Sequence, residues 1–275
     1  MTLSFCSFSS GSNGNCYLVK TEKSAILIDA GISASRILKE LDRTETPHDS
    51  IKALFLTHEH HDHITGARVL LKRLNKTNVY ASGGTFNGIT RHDAFKQFTF
   101  TGDISEGRRF IIAPDEPVII GDITVFAFRT IHDAYDPYGY YIHSGGKGIA
   151  ILTDTGCVTD EIIECISDAD VLVLESNHDI ELLRMGSYPW YLKQRIISDH
   201  GHLSNGQAAD TLLRLFSFLD KKRIVLLAHL SAENNTPVLA EQTVLTALAR
   251  KNRYTGSDLY MGVLLRDEAS LLFRL

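Results

Sequence analysis

The sequence predicts an α/β fold, layered from short strands and amphipathic helices and built from two similar halves. Three observations lead there. Short apolar runs bounded by Gly, Asn and Asp alternate with stretches whose apolar residues recur at helical spacing, so strands and helices are mixed along the chain. Ala25-Ile26-Leu27-Ile28-Asp29-Ala30-Gly31 matches Ala150-Ile151-Leu152-Thr153-Asp154-Thr155-Gly156 at five of seven positions. The apolar run Ile224 to Ala228, ending in His229, echoes Ala53 to Leu56, which leads to His58. Self-similarity of this kind suggests a duplicated unit with a site between its copies.

In order along the chain, the first strand runs into Ser9-Ser10-Gly11-Ser12-Asn13-Gly14-Asn15. Its glycines would let backbone amides approach a phosphate, but the stretch lacks the spacing of a phosphate loop, which favours a hairpin turn. The strand from Ala25 ends in Asp29, after which Ser33 caps a helix with Ile37, Leu38 and Leu41 inward. The strand Ala53 to Leu56 leads into Thr57-His58-Glu59-His60-His61-Asp62-His63, and Ile64, Ala67, Leu70, Leu71 and Leu74 then mark a helix with Asp62 and His63 at its start. Lys72, Arg73 and Lys76 near its end suit the helix dipole better than a nucleic-acid patch. Residues 86–117 look irregular, polar and aromatic, an insertion expected to shape one edge of a cleft.

A second half begins near Ile119. Ile123 to Phe128 alternates as a strand and delivers His132, and Tyr138 to Ile142 and Gly148 to Leu152 follow as strands. Pro189 opens a helix with Leu192, Ile196 and Ile197 inward. The surrounding Arg184, Tyr188, Trp190, Tyr191, Lys193 and Arg195 read equally as plain packing or as contacts that stack bases and hold phosphates. Ser204-Asn205-Gly206-Gln207 is a capping-box pattern before the apolar face of Ala208, Ala209, Leu212, Leu213 and Phe216.

Composition narrows the class. The chain has 275 residues, 44% hydrophobic and 22% charged, enough for a large buried core. No linker divides it, so a single domain spanning 1–275 is expected. At net charge -5 it is not a bulk polycation, and any nucleic-acid binding must come from local patches. No run approaches the ~18 apolar residues a membrane span needs, and no leader-like segment opens the chain, so a cytoplasmic protein with no membrane partner is expected. Cys6, Cys16, Cys157 and Cys165 show no C-x-x-C spacing and read as reduced thiols.

The chemistry concentrates at residues 58–63. Four imidazoles and two carboxylates lie within six positions just past a buried strand, and neutral imidazole nitrogen and carboxylate oxygen are good donors to a divalent cation. Strand ends and the loops beyond them cluster at one edge of a sheet. That gathers His58, His60, Asp62, His63, His132, Asp154 and His229, too many ligands for one tetrahedral ion and about right for two metals sharing a carboxylate. His48, His92, His143, His178 and His200 have no such lead-ins and read as surface or structural.

His58-x-His60-x-Asp62-His63, followed in order by His132, Asp154 and His229, resembles the metallo-β-lactamase fold hydrolases over nearly the whole chain. His132-Asp133-x-x-Asp136-Pro137-x-Gly139-Tyr140, Gly201-His202-Leu203-Ser204-Asn205 and His229-Leu230-Ser231-x-x-Asn234-Asn235-x-Pro237 look more narrowly like the YycJ (WalJ) group, described as 5′-acting exonucleases. The resemblance implies a four-layer αββα sandwich with pseudo-duplicated halves. It implies one metal on His58, His60 and His132, another on Asp62, His63 and His229, with Asp154 bridging and Asp29 steadying the ligands from behind. Zn or Mn, with Fe also compatible, would fill the two positions. His202, next to a helix N-terminus where a phosphate oxyanion would sit, would protonate the leaving oxygen or stabilise the transition state, and Asp62 would orient or deprotonate the attacking water. The expected substrate is nucleic acid, DNA ahead of RNA. A small cyclic phosphodiester, or a thioester or lactone, is the alternative that the same ligands allow.

Overall fold

The computed structural model describes residues 2–91, 106–114 and 116–275. Two seven-stranded sheets face each other. The first runs β14 (Phe273–Arg274), β1 (Ser4–Ser9), β2 (Cys16–Lys20), β3 (Ala25–Ile28), β4 (Ile51–Phe55), β5 (Asn78–Ala81) and β6 (Arg109–Ile111). The second runs β13 (Leu259–Val263), β12 (Arg223–Ala228), β11 (Val171–Glu175), β10 (Lys147–Leu152), β9 (Tyr138–Ser144), β8 (Ile123–Arg129) and β7 (Val118–Ile120).

Both sheets are mixed in the same way. Three antiparallel pairings from one edge give way to three parallel ones, at β3–β4, β4–β5 and β5–β6 in the first sheet and at β10–β11, β11–β12 and β12–β13 in the second. β3 is therefore the counterpart of β10, which places Asp29 and Asp154 at equivalent strand ends, as their shared sequence suggests. The second echo is displaced. By topology β4, which leads to His58, corresponds to β11, whereas His229 follows β12. Any buried parallel strand reads as a run of Val, Leu, Ile and Ala, so the apolar match carried no register.

The layers follow from burial. Parallel strands are apolar on both faces because both are covered: β3 (AILI), β11 (VLVLE) and all of β12 but Ile224 are buried. Phe5, Tyr17, Ile28 and Phe55 meet Tyr140, Ile151, Val173 and Ala228 in a core between the sheets. Helices α1 (Ala34–Arg43) and α3 (Ala67–Arg73) cover the outer face of the first sheet. The second is covered by α5 (Asp160–Ile166), α8 (Asn205–Phe218) and α9 (Pro237–Ala249). The sandwich is thus αββα. Ser33 caps α1, and Ser204 with Gln207 forms the capping box of α8. The helix read from Asp62 to Leu74 is broken into α2 (His61–Ile64) and α3, because Gly66 donates its N–H to Ala30 O at 2.8 Å and the chain must bend there.

Two expectations need correction. The stretch 86–117 is not irregular throughout. Residues 86–91 belong to α4 (Gly83–Arg91), and β6 is an edge strand paired with β5, with polar Arg109 and exposed Phe110 and Ile111 that blurred its pattern. The remainder of that stretch up to residue 105, with His92, and residue 115 lie outside the described residues. In α7 (Trp190–Ile197) Ile196 is buried but Ile197 is exposed, because the eight-residue helix turns only one narrow face inward.

One crossing holds the fold to the metal-ligand turn. Residues 29–31 thread between the β1–β2 turn and α2: Gly31 N–H donates to Asn15 O at 2.8 Å, Asn15 N–H to Asp62 O at 2.7 Å, and Ala30 N–H to His63 O at 2.8 Å. A Cβ at Gly31 would overlap the carbonyl oxygen of Asp62 and lie 2.7 Å from Asn15 N. Gly31→Ala is expected to destabilise the chain by about 1–3 kcal/mol, the range of overpacking in a site that cannot relax. A chemical-denaturation midpoint equal to wild type would refute this.

Candidate metal centre

All the sequence-predicted ligands meet at one end of the sandwich, where the strands of both sheets deliver them. His58, His60 and His132 form one group whose donor atoms lie within 4.8 Å of one another, and Asp62, His63 and His229 form another. Asp154 groups with His58 and His63, one from each, and also with Glu175, His202 and His229. The three strand-end residues Asp29, Asp154 and His229 share an unusual backbone, with φ of 59°, 56° and 55°. In this left-handed region Asp, Asn and His are the side chains most often tolerated, and the sharp turn swings each side chain off the strand axis.

For four of the five imidazoles, the nitrogen that faces the centre is fixed by what holds the other nitrogen. Thr57 donates both its N–H and its hydroxyl to Asp29, each at 2.9 Å, so its Oγ1 can accept from His58 Nδ1 at 3.0 Å. Asp29 Oδ2 also accepts from His63 Nδ1 at 2.7 Å. Gly201 O accepts from His132 Nδ1 at 3.0 Å, and Glu175 Oε1 accepts from His229 Nδ1 at 2.8 Å. Nε2 of His58, His63, His132 and His229 is thereby aimed at the centre, the arrangement that metal-ligating histidines require.

The first group fits a cation and little else. His60 Nδ1 lies 3.0 Å from His58 Nε2 and 3.3 Å from His132 Nε2, so three ring nitrogens converge with too few protons to join them. Burial pushes all three rings down, His60 to about 4 with help from His132, which leaves them neutral lone-pair donors at pH 7. The second group is electrostatically opposite. Burial would lower His63 and His229, but Asp154, Asp29 and Asp62 outweigh it and raise His63, while Asp154, Asp62 and Glu175 raise His229 to about 10. Burial likewise opposes ionisation of Asp62 and Asp154, and the neighbouring imidazoles overcome it, holding both well below the usual carboxylate range. A cation entering there would take the place of any proton on the inward nitrogens of His63 and His229. Asp154 Oδ2, fully buried, has no hydrogen-bond partner among the described residues although His63 Nε2 is 3.3 Å away. It is an open acceptor facing both groups. The donor set therefore suits divalent metal ions.

Two participants were not singled out in the sequence. Glu175 is completely buried at the end of β11. Its Oε1 accepts from both His202 Nδ1 and His229 Nδ1 at 2.8 Å, and its Oε2 from the amides of Thr155 at 3.0 Å and Leu203 at 3.2 Å. Burial alone would raise its pKa, yet His202 and the His229 hydrogen bond hold it down to about 2. The signal existed, since Val171-Leu172-Val173-Leu174-Glu175 is another apolar strand ending in an acid. Asn15, also buried, places Nδ2 3.1 Å from His63 Nε2 and 3.3 Å from Asp62 O. The β1–β2 turn is a hairpin connection, as expected, but its last residue lies against the ligand turn.

Of the other histidines, His48 pairs with Asp42 at 2.9 Å, His200 is exposed, and His178 is buried with Nδ1 lacking a hydrogen-bond partner among the described residues. All four cysteines are free. Because Glu175 holds two imidazoles at once, Glu175→Ala is expected to weaken binding at the Asp62–His63–His229 position by about 10–100-fold while the chain still folds. Chelator competition followed by metal analysis checks this, and undiminished affinity would refute it.

Residues 24–230 match the family described as Beta-lactamase superfamily domain. The chain is 36% identical over 249 residues to exodeoxyribonuclease WalJ of Streptococcus pneumoniae, covering 90% of this chain and 89% of that protein. It is 37% identical over 251 residues to exodeoxyribonuclease YycJ of Bacillus anthracis, covering 91% of each. The solved metallo-β-lactamase fold protein YhfI of Bacillus subtilis superposes with a TM-score of 0.68 at 16% identity, over 98% of this chain and 99% of that one, a likeness of fold alone. With its αββα layers and the profile spanning most of its length, the chain belongs to the β-lactamase superfamily domain family.

Proposed function

We propose that this chain is a metal-dependent nuclease that removes nucleotides from the 5′ end of DNA in preference to RNA. It would work in the cytoplasm as a single domain, residues 1–275, with two divalent ions, Zn or Mn and then Fe, one on His58, His60 and His132 and the other on Asp62, His63 and His229, with Asp154 between them. The observation that carries the phosphodiester reading is the position of His202. It lies against the ligand cluster, its ring centroid 4.9 Å from that of His132 and 5.3 Å from that of His229, yet its side chain is 18% exposed where those of the two ligands are buried.

Divalent ions held by His58, His60, His132, Asp62, His63, His229 and Asp154 would supply Lewis acidity, which lowers the pKa of water and neutralises charge on phosphoryl oxygens. The remaining work falls to side chains. Asp62, whose side chain is 22% exposed at the edge of the cluster, would orient or deprotonate the attacking water. His202 is held through Nδ1 by Glu175, so Nε2 is the nitrogen that gives a proton to the leaving oxygen, and the carboxylate stabilises the imidazolium that gives it. The carboxylate of Asp29 keeps His63 aligned through the same geometry. The relatives named as exodeoxyribonucleases support the choice of DNA, and no helix of the described residues is long and apolar enough to cross a membrane.

The test is digestion of 5′- and 3′-labelled single- and double-stranded DNA and RNA with Mn or Zn supplied. Asp154→Ala is expected to lose both metal and activity. His202→Ala should keep its metal and lose about 10²–10⁴-fold in kcat, the usual range for a general acid, with a much smaller loss on a p-nitrophenyl phosphodiester whose leaving group needs no proton. Equal losses on both substrates would refute the acid role, and wild-type inertness toward every nucleic acid would refute the nuclease.

A further inference from the structure

The helix α7 is the one motif that the chemistry above leaves unexplained. Trp190 and Tyr191 in its first turn are each 74% exposed, and Met185, also exposed, ends the preceding helix α6 (Ile180–Met185). One exposed aromatic is ordinary. Two adjacent ones, in a stretch from 184 to 197 that carries Lys193 and Arg195, with Arg184 paired to Glu181 at 2.9 Å, and no acid of its own while the chain as a whole has net charge -5, form a local patch suited to a polyanion with flat, stackable groups.

The patch is firmly attached to the centre. Lys193 Nζ donates to Arg184 O at 2.7 Å and Gly186 O at 2.6 Å, closing the α6–α7 hairpin. His202 N–H donates to Ile196 O at 3.0 Å, and at Gly201 a Cβ would overlap the carbonyl oxygens of Arg195 and Ile196. Arg195 pairs through Nε with Asp133, whose other oxygen is 3.4 Å from His132 Nε2. The C-terminal end of α7 is therefore fixed against the centre, and Trp190 and Tyr191 occupy its opposite end. From Trp190 to Arg195 the axis rises about 8 Å, close to two stacked nucleotides at about 3.4 Å each.

We propose that α7 is a stacking platform for the unpaired terminal nucleotides of the strand being digested. Trp190 and Tyr191 take the bases, and Arg195, held to Asp133 on one side, offers the rest of its guanidinium to the backbone phosphate nearer the centre. The substrate assignment rests on the nuclease reading, but the surface can be tested apart from it. Trp190 is the chain's one tryptophan, so its emission reports this surface directly.

The metal-loaded protein is titrated with phosphorothioate-linked dT12 and, in a parallel arm, rU12. Saturable quenching of Trp190 emission by either is expected, the stronger arm naming the polymer, and Tyr191→Ala should raise the Kd by about 10-fold. In digestion assays Trp190→Ala should lose about 10-fold more in kcat/KM on a labelled oligonucleotide than on bis(p-nitrophenyl) phosphate, with Trp190→Phe largely restoring it. Absent quenching by both polymers overturns the platform even if the wild type digests DNA. Quenching without digestion supports the surface and overturns only the nuclease reading. If emission changes on dilution without oligonucleotide, and Trp190→Ala dissolves a dimer seen by sedimentation, a second copy of the chain covers the patch and the proposal falls. Should Trp190→Ala not fold, the wild-type titration decides alone.

Discussion

Buried negative charge is the constraint that organises this molecule. Asp29, Asp154 and Glu175 are removed from water within one region, Asp62 stands at its edge, and isolated carboxylates there would cost several kcal/mol each. Nothing in the apolar sandwich offsets that cost. The compensation is local: Asp29, Asp62 and Glu175 accept from imidazole, hydroxyl or amide groups, and the residual negative charge on the Asp62–Asp154 side is what a cation or a pair of imidazolium protons must balance. The strands that end at this edge position the residues that keep the balance.

The two halves of the centre use different physics for the same end. Around His58, His60 and His132 the driving feature is a surplus of lone pairs held neutral by burial. Around His63 and His229 it is a surplus of carboxylate that keeps the rings charged. A site that offers soft neutral donors on one side and charged donors on the other can polarise a bound group unsymmetrically. His202 stands between the two halves, its ring near both His132 and His229 and its Nδ1 held by Glu175.

Much of this was legible in the sequence, for identifiable reasons. The ligand turn is local in the chain, so its six positions show their chemistry without any fold. Asp29 and Asp154 were legible because the duplication kept five residues around them. The echo at His229 was misplaced because buried parallel strands resemble one another whatever their register. Glu175 escaped notice because it binds nothing outward; its partners, His202 and His229, come from distant segments, and only their meeting gives it a task. Asn15 was hidden in a turn whose composition has an ordinary explanation. The edge strand β6 carries Arg109 and exposed side chains, so tertiary pairing rather than pattern makes it a strand.

The left-handed backbone at Asp29, Asp154 and His229 bears on how this centre could be altered over generations. Few side chains accept that conformation at low cost, so substitutions there face a conformational filter before any chemical one. His58, His60 and His132 carry no such restriction, as their backbones are ordinary. Drift in metal preference would therefore meet its strongest backbone restriction at Asp154 and His229 and none of that kind at the other ligands. Two residues of the site serve as its anchor, and the rest are open to retuning.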